Sequence, residues 1–157
     1  MARNLRMNIG VLVFLVTTLI SCDSNRIYEE HIAIPKGIWS SGNRALFNVT
    51  ISDLTARYNV YMNVRNGPEY AYSNLFLFLN TTTPDGKTAR DTVELTLADF
   101  DGRWLGSGMG SVKFSRFLFR KGVKFQQQGA YRFSLEQAMR VPDLTGIYDI
   151  GLRIERE

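Results

Sequence analysis

The feature that most restricts how this chain can fold is a period-two alternation of apolar and polar residues, repeated in short runs. Ala45, Phe47, Val49 and Ile51 alternate with Leu46, Asn48 and Thr50, and Tyr58, Val60, Met62 and Val64 alternate with Asn59, Tyr61, Asn63 and Arg65. Successive side chains of a strand point to opposite faces, so each run reads as a strand with one face buried. Asp91, Val93, Leu95 and Leu97 repeat the pattern, and Val112–Phe119, Ala130–Leu135 and Ile147–Ile154 follow. In the last run Tyr148, Ile150, Leu152 and Ile154 face one way. Leu75-Phe76-Leu77-Phe78-Leu79 is apolar throughout, which predicts a central strand covered on both faces. Asn66-Gly67-Pro68, Pro84-Asp85-Gly86, Asp101-Gly102, Lys121-Gly122 and Gln128-Gly129 separate the runs, with Gly supplying the positive φ of tight turns. The expected fold is therefore all-β, a β-sandwich of about seven or eight strands, immunoglobulin-like or jelly-roll. Ser134-Leu135-Glu136-Gln137 has the form of a capping box, with Ala138 and Met139 at helical spacing from Leu135. It predicts one short helical turn before the last strand.

The N-terminus is built differently. Arg3 and Arg6 precede an apolar run from Ile9 to Leu19, too short to span a bilayer comfortably, since a transmembrane helix needs roughly 20 residues. It ends in Leu19-Ile20-Ser21-Cys22, which resembles a bacterial lipobox. In signals of that kind the thiol receives diacylglycerol, the preceding peptide is cut, and the new amine is acylated. Only a thiol gives the thioether, and a small residue at Ser21 lets the peptidase reach the bond. Residues 1–21 are thus expected to be a removed signal peptide, 22–30 a lipidated tether, and 31–157 one domain. Cys22 is an anchor and not a nucleophile, and its covalent lipid is the only cofactor expected. Without residues 1–21 the chain has 17 basic and 15 acidic residues. That balance gives no reason to expect a nucleic-acid partner.

The rest of the chain is poor in catalytic patterns. There is one Cys and one His, so neither an internal disulfide framework nor a His-His metal motif is available. His31 lies between Glu30 and Ile32, and no serine stands in a Gly-x-Ser-x-Gly strand-to-helix context. Gly106, Gly108 and Gly110 lack the spacing and following helix of a dinucleotide loop. Asp99-Phe100-Asp101-Gly102 begins like a calcium loop but lacks its closing Glu; Asp85, Asp91, Asp99 and Asp101 would bind calcium only by converging from several loops. Neither a metal site nor a catalytic residue is expected. Arg116, Arg120, Lys121 and Lys124, with Phe117 and Phe119 between them, read as a solvated strand face. Trp39 and Trp104 read as plugs at the sandwich ends. Aromatics and amides gather beside one turn, in Arg65, Asn66, Tyr70, Tyr72 and Asn74. These are the candidate partner-contact residues, because binding residues concentrate on loops held by a rigid scaffold.

These stretches resemble the gliding-motility lipoprotein GldH family of Bacteroidetes. The matching pieces are Tyr58-Asn59-Val60-Tyr61, Tyr70-Ala71-Tyr72-Ser73-Asn74-Leu75-Phe76-Leu77, Pro84-Asp85-Gly86-Lys87 and Asp101-Gly102-Arg103-Trp104-Leu105-Gly106. Glu136-Gln137-Ala138-Met139-Arg140 and Asp149-Ile150-Gly151-Leu152-Arg153-Ile154-Glu155 continue them in order. The resemblance implies a lipid-anchored, non-enzymatic accessory protein of the gliding apparatus, linked to type IX secretion and touching other envelope proteins. It implies no catalytic residues and no small-molecule substrate. The expected location is the periplasmic face of the outer membrane. The alternative is a carbohydrate-binding envelope lipoprotein of a glycan-uptake system, in which exposed aromatic rings would stack on sugars.

Overall fold

The alternating runs form strands. The computed structural model describes residues 23–157, so the signal segment and Cys22 lie outside the described residues. The strands are β1 (Arg26–Ala33), β2 (Ile38–Ser40), β3 (Ala45–Ile51), β4 (Tyr58–Asn66), β5 (Asn74–Thr82), β6 (Thr88–Thr96), β7 (Lys113–Val123), β8 (Gly129–Gln137), β9 (Asp143–Thr145) and β10 (Ile147–Arg156). A single 3-10 turn covers Pro35–Gly37. The long strands make two antiparallel sheets, β1-β10-β4-β7 and β3-β8-β5-β6, and β2 pairs with β9. Counting only the eight long strands along the chain, these orders become 1-8-3-6 and 2-7-4-5. That is the jelly-roll arrangement, which decides between the two sandwich types expected.

The core lies between the sheets. Phe47, Val49 and Ile51 of β3, Leu75, Leu77 and Leu79 of β5, Val60, Met62 and Val64 of β4, and Ile150, Leu152 and Ile154 of β10 are all buried. Each such side chain contributes about 1.5–3 kcal/mol relative to exposure. Trp39 plugs one end, opposite Leu144 across the β2–β9 pair, and its Nε1–H donates to the Asn43 carbonyl at 2.8 Å.

Three expectations need correction. Ser134–Gln137 is not a helical turn but the end of β8, a central strand whose backbone is paired on one side with β3 and on the other with β5. Two sheet ladders satisfy more backbone groups than one helical turn does, so pairing overrides the local capping pattern. β5 is central, yet only one of its faces is fully covered: Phe76 and Phe78 are half-exposed on the outer face, where the Arg90 guanidinium lies 3.9 Å from the centre of the Phe78 ring. The expected tether is largely strand, because β1 begins at Arg26 and pairs with β10 from Glu155 onward.

Strand direction gives the sandwich two distinct ends. Arg26 pairs with Glu155, and Tyr58 pairs with both Arg156 and Val123, at the base. Asn66 pairs with both Ile147 and Lys113 at the other end. The base therefore carries residue 23, the C-terminus and the connections 52–57, 83–87 and 124–128. The opposite pole carries 34–44, 67–73, 97–112 and 138–146.

Candidate functional site at the loop pole

The four pole connections are tied into one unit by backbone hydrogen bonds. Gly146 N–H donates to the Gly37 carbonyl at 2.8 Å, Gly67 N–H to the Gly146 carbonyl at 2.9 Å, and Leu97 N–H to the Ser73 carbonyl at 2.7 Å. Gly146 is required where it stands. Its φ is +90°, and a Cβ there would lie 2.7 Å from the Tyr70 Cα.

The candidate contact residues divide into two groups. Tyr70 and Asn66 are buried, so the expectation that they touch a partner is corrected. Tyr70 is the keystone of the pole: its hydroxyl donates to the Asn74 carbonyl at 2.7 Å, and its ring packs on Tyr72 (centroids 5.6 Å) and Trp104 (6.4 Å). Burial pushes its hydroxyl pKa well upward, with the neighbouring Tyr72 adding to the effect. Asn66 lies on the core face of β4, where neither amide atom has a hydrogen-bond partner among the described residues. Tyr72 and Arg65 are exposed, and Asn74 is half-buried with its Nδ2–H donating to Glu94 Oε1 at 2.7 Å. Tyr72 lines a hollow of about 440 Å³ with Phe76 and Met139. Ser73 and Asn74 line another of about 640 Å³ with Ala98, Phe100 and Leu105.

The most exposed apolar side chains are in the 97–112 connection, where Phe100 and Met109 stand fully in solvent and Leu105 is more than half exposed. The backbone around Phe100 and Leu105 is held: Leu105 N–H donates to the Leu97 carbonyl at 2.9 Å. The Asp99 carboxylate accepts from Asp101 N–H (3.0 Å), Arg103 N–H (2.8 Å) and Arg103 Nε–H (3.0 Å), while Arg103 Nη2 reaches Asp101 at 2.5 Å. Asp99 and Asp101 are thereby turned on Arg103. Asp85 lies at the base with Lys87, and Asp91 pairs with Arg120, so the four acids do not converge. Trp104 is half-buried against Tyr70 and Trp39 is core, so the tryptophans do not form an open sugar platform.

A second polar constellation, not singled out from sequence, covers the outer face of the β1-β10-β4-β7 sheet. Arg153 is buried there among Asp23, Glu29 and Glu155, with Nη1 2.5 Å from Glu29 Oε2. Asp149 accepts from Arg65 Nε–H and lies 3.2 Å from His31 Nδ1. Asn63 donates to Glu29 Oε1 at 3.2 Å and accepts from Arg116 Nε–H at 3.1 Å. Burial by itself raises the Glu29 pKa, but hydrogen bonds from Arg153 and Arg26 and the charges of Arg153 and Arg116 outweigh it and hold the carboxyl below its ordinary value. His31 is thus a member of an ionic network, hydrogen-bonded to Asp149 and Asn63. Gly151 was the available signal: a glycine inside a strand marks a close approach, here a Cβ position 2.9 Å from His31 Nδ1.

The chain is a jelly-roll sandwich whose connections are tied together at one pole, and no helix among its described residues is long and apolar enough to cross a membrane. A sequence model of the family described as GldH lipoprotein matches residues 26–154. The gliding motility lipoprotein GldH homolog of Christiangramia forsetii is 37% identical over 161 residues, covering 97% of this chain and 98% of the relative. The gliding motility lipoprotein GldH of Flavobacterium johnsoniae is 34% identical over 157 residues, covering 96% and 97%. The chain belongs to the GldH lipoprotein family.

Proposed function

We propose that this protein is a lipid-anchored, non-enzymatic component of the gliding-motility machinery, linked to type IX secretion, that works by protein–protein contact through its loop pole. The observation that carries the contact reading is the placement of Phe100, Leu105 and Met109, exposed on connections that are hydrogen-bonded together at the end remote from residue 23. Apolar side chains held in water on a firm frame lose little further freedom on entering a partner's pocket. Asn74 lines one hollow with Phe100 and Leu105, and exposed Tyr72, two residues before it, extends the contact surface, whereas Arg65 is turned onto Asp149 on the outer sheet face. The motility assignment is supported by the names of both relatives. In this reading acyl chains on Cys22 hold the domain at the periplasmic face of the outer membrane. Three acyl chains, stabilised by about 0.8 kcal/mol per buried methylene, make such an anchor durable.

The test is a Phe100→Ser, Met109→Ser double variant in the native host. It should fold with stability within about 0.5 kcal/mol of the parent, since both side chains are solvated. It should also lose co-purifying envelope proteins and slow surface spreading. Unchanged recovery of those proteins, or normal movement and secretion in a strain deleted for the gene, would refute the proposal. Cys22→Ser should release the protein from the membrane fraction.

A further inference from the structure

We propose that the outer face of the β1-β10-β4-β7 sheet lies against the phospholipid headgroups of the bilayer that holds the Cys22 acyl chains. The inference rests on the anchor reading and adds which face of the body meets the lipid. The first reason is where the chain leaves the body. The Asp23 carboxylate is hydrogen-bonded to Arg153 on this face, Arg26 N–H donates to the Asp23 carbonyl, and Arg156 N–H donates to the Asn25 carbonyl at 2.7 Å. The first described residues are therefore fixed to β10. Consecutive Cα atoms are about 3.8 Å apart, so the acylated residue is one step from this face and the body has almost no leash.

The second reason is charge. The carboxylates of Asp149, Glu29 and Glu155 form the floor of the ionic network, only 1–20% exposed. The guanidinium side chains of Arg26, Arg65 and Arg116 stand over them, 37–54% exposed. Apart from Asp23, which is 42% exposed and bonded to Arg153, an approaching surface meets the cations first. Among the described residues Arg26 bonds Glu29 through Nη1 and Arg65 bonds Asp149 through Nε, and their other N–H groups suit phosphate oxygens.

The third reason is the apolar content. Tyr61 and Leu118 are register partners that share this outer face with Arg116, and Leu118 is 50% exposed. A tyrosine and a leucine bordered by arginines suit the headgroup boundary, where one end of a side chain is wet and the other dry. The outer face of the opposite sheet offers a matched control in Leu46, 48% exposed.

The native chain has a single Cys, which acylation consumes, so one introduced thiol can be labelled alone. Full-length Leu118→Cys and Leu46→Cys proteins would be purified acylated, labelled with an environment-sensitive fluorophore, and reconstituted in phosphatidylethanolamine–phosphatidylglycerol vesicles. Headgroup-level nitroxide lipids should quench the label at position 118 several-fold more strongly than the one at 46, and aqueous iodide should show the reverse. Arg26→Glu should weaken the lipid quenching at 118. Equal quenching at both positions, or stronger lipid quenching at 46, would overturn the face assignment while leaving the anchor intact. Intact mass measured on the same samples separates the two ideas, because an unmodified Cys22 would overturn the anchor and the face assignment together.

Discussion

Arg153→Ala should be among the most damaging single changes outside the core, and its cost should shrink in acid. The Arg153 side chain is only 5% exposed and bonds three carboxylates, Asp23, Glu29 and Glu155. Removing one partner of a buried pair costs about 3–5 kcal/mol, because the remaining charge stays desolvated. The partners here retain some solvent access and Glu29 keeps Arg26 and Arg116, which lowers the expectation to about 2–3 kcal/mol at pH 7, or a melting temperature about 10 °C lower. In the parent the Glu29 pKa lies below 4.5, so its stabilising contribution is complete above that pH and is lost as pH falls through the folded value. Without Arg153 its hydrogen bond and charge no longer oppose burial, only Arg26 and Arg116 do, and the pKa of that carboxyl moves up from its parent position. Protonation of that carboxyl as pH falls then costs the variant less stability than it costs the parent. The difference between parent and variant should therefore narrow from pH 7 towards pH 3. Urea unfolding of both proteins with Cys22→Ser, followed by tryptophan fluorescence, measures it. A difference that stays constant or widens in acid would refute the electrostatic account and leave lost packing as the cause.

Gly146→Ala should destabilise by about 2–4 kcal/mol, from left-handed backbone and a collision with the Tyr70 backbone, and thermal melting reads it directly. Leu77→Ala removes a fully buried side chain from the centre of β5 and should cost about 2–5 kcal/mol by denaturant titration. In alkali, Tyr28 and Tyr70 hold their protons above the ordinary pKa of 10, each chiefly through burial, with Glu30 reinforcing it at Tyr28. The unfolded chain releases those protons first, so stability is intact below about pH 10 and falls as pH rises beyond it. Tyr70→Phe should remove part of that alkaline slope in a circular-dichroism titration.

The strand content was legible from residues alone because burial on one face writes a period of two into the sequence. β3 keeps that period without exception. The capping pattern at Ser134–Gln137 misleads for the same physical reason: local hydrogen bonding is weak beside two neighbouring strands, and those neighbours are remote in sequence. Tyr70 and Tyr72 are two residues apart and chemically alike, yet one is core and the other surface. The difference lies in Gly146, whose missing side chain admits the Tyr70 backbone.

Sequence by itself determined the all-β class, the positions of most turns, the single thiol and the family, since these depend on local pattern and ordered identity. Tertiary structure decided the jelly-roll strand order and the gathering of Phe100, Leu105, Met109 and Tyr72 at the pole away from residue 23. It also decided the ionic floor of Glu29, Asp149 and Arg153, drawn from both ends of the chain. Such groups meet only when β10 inserts between β1 and β4, and a pairing of that range leaves no mark in the neighbouring residues of any one of them.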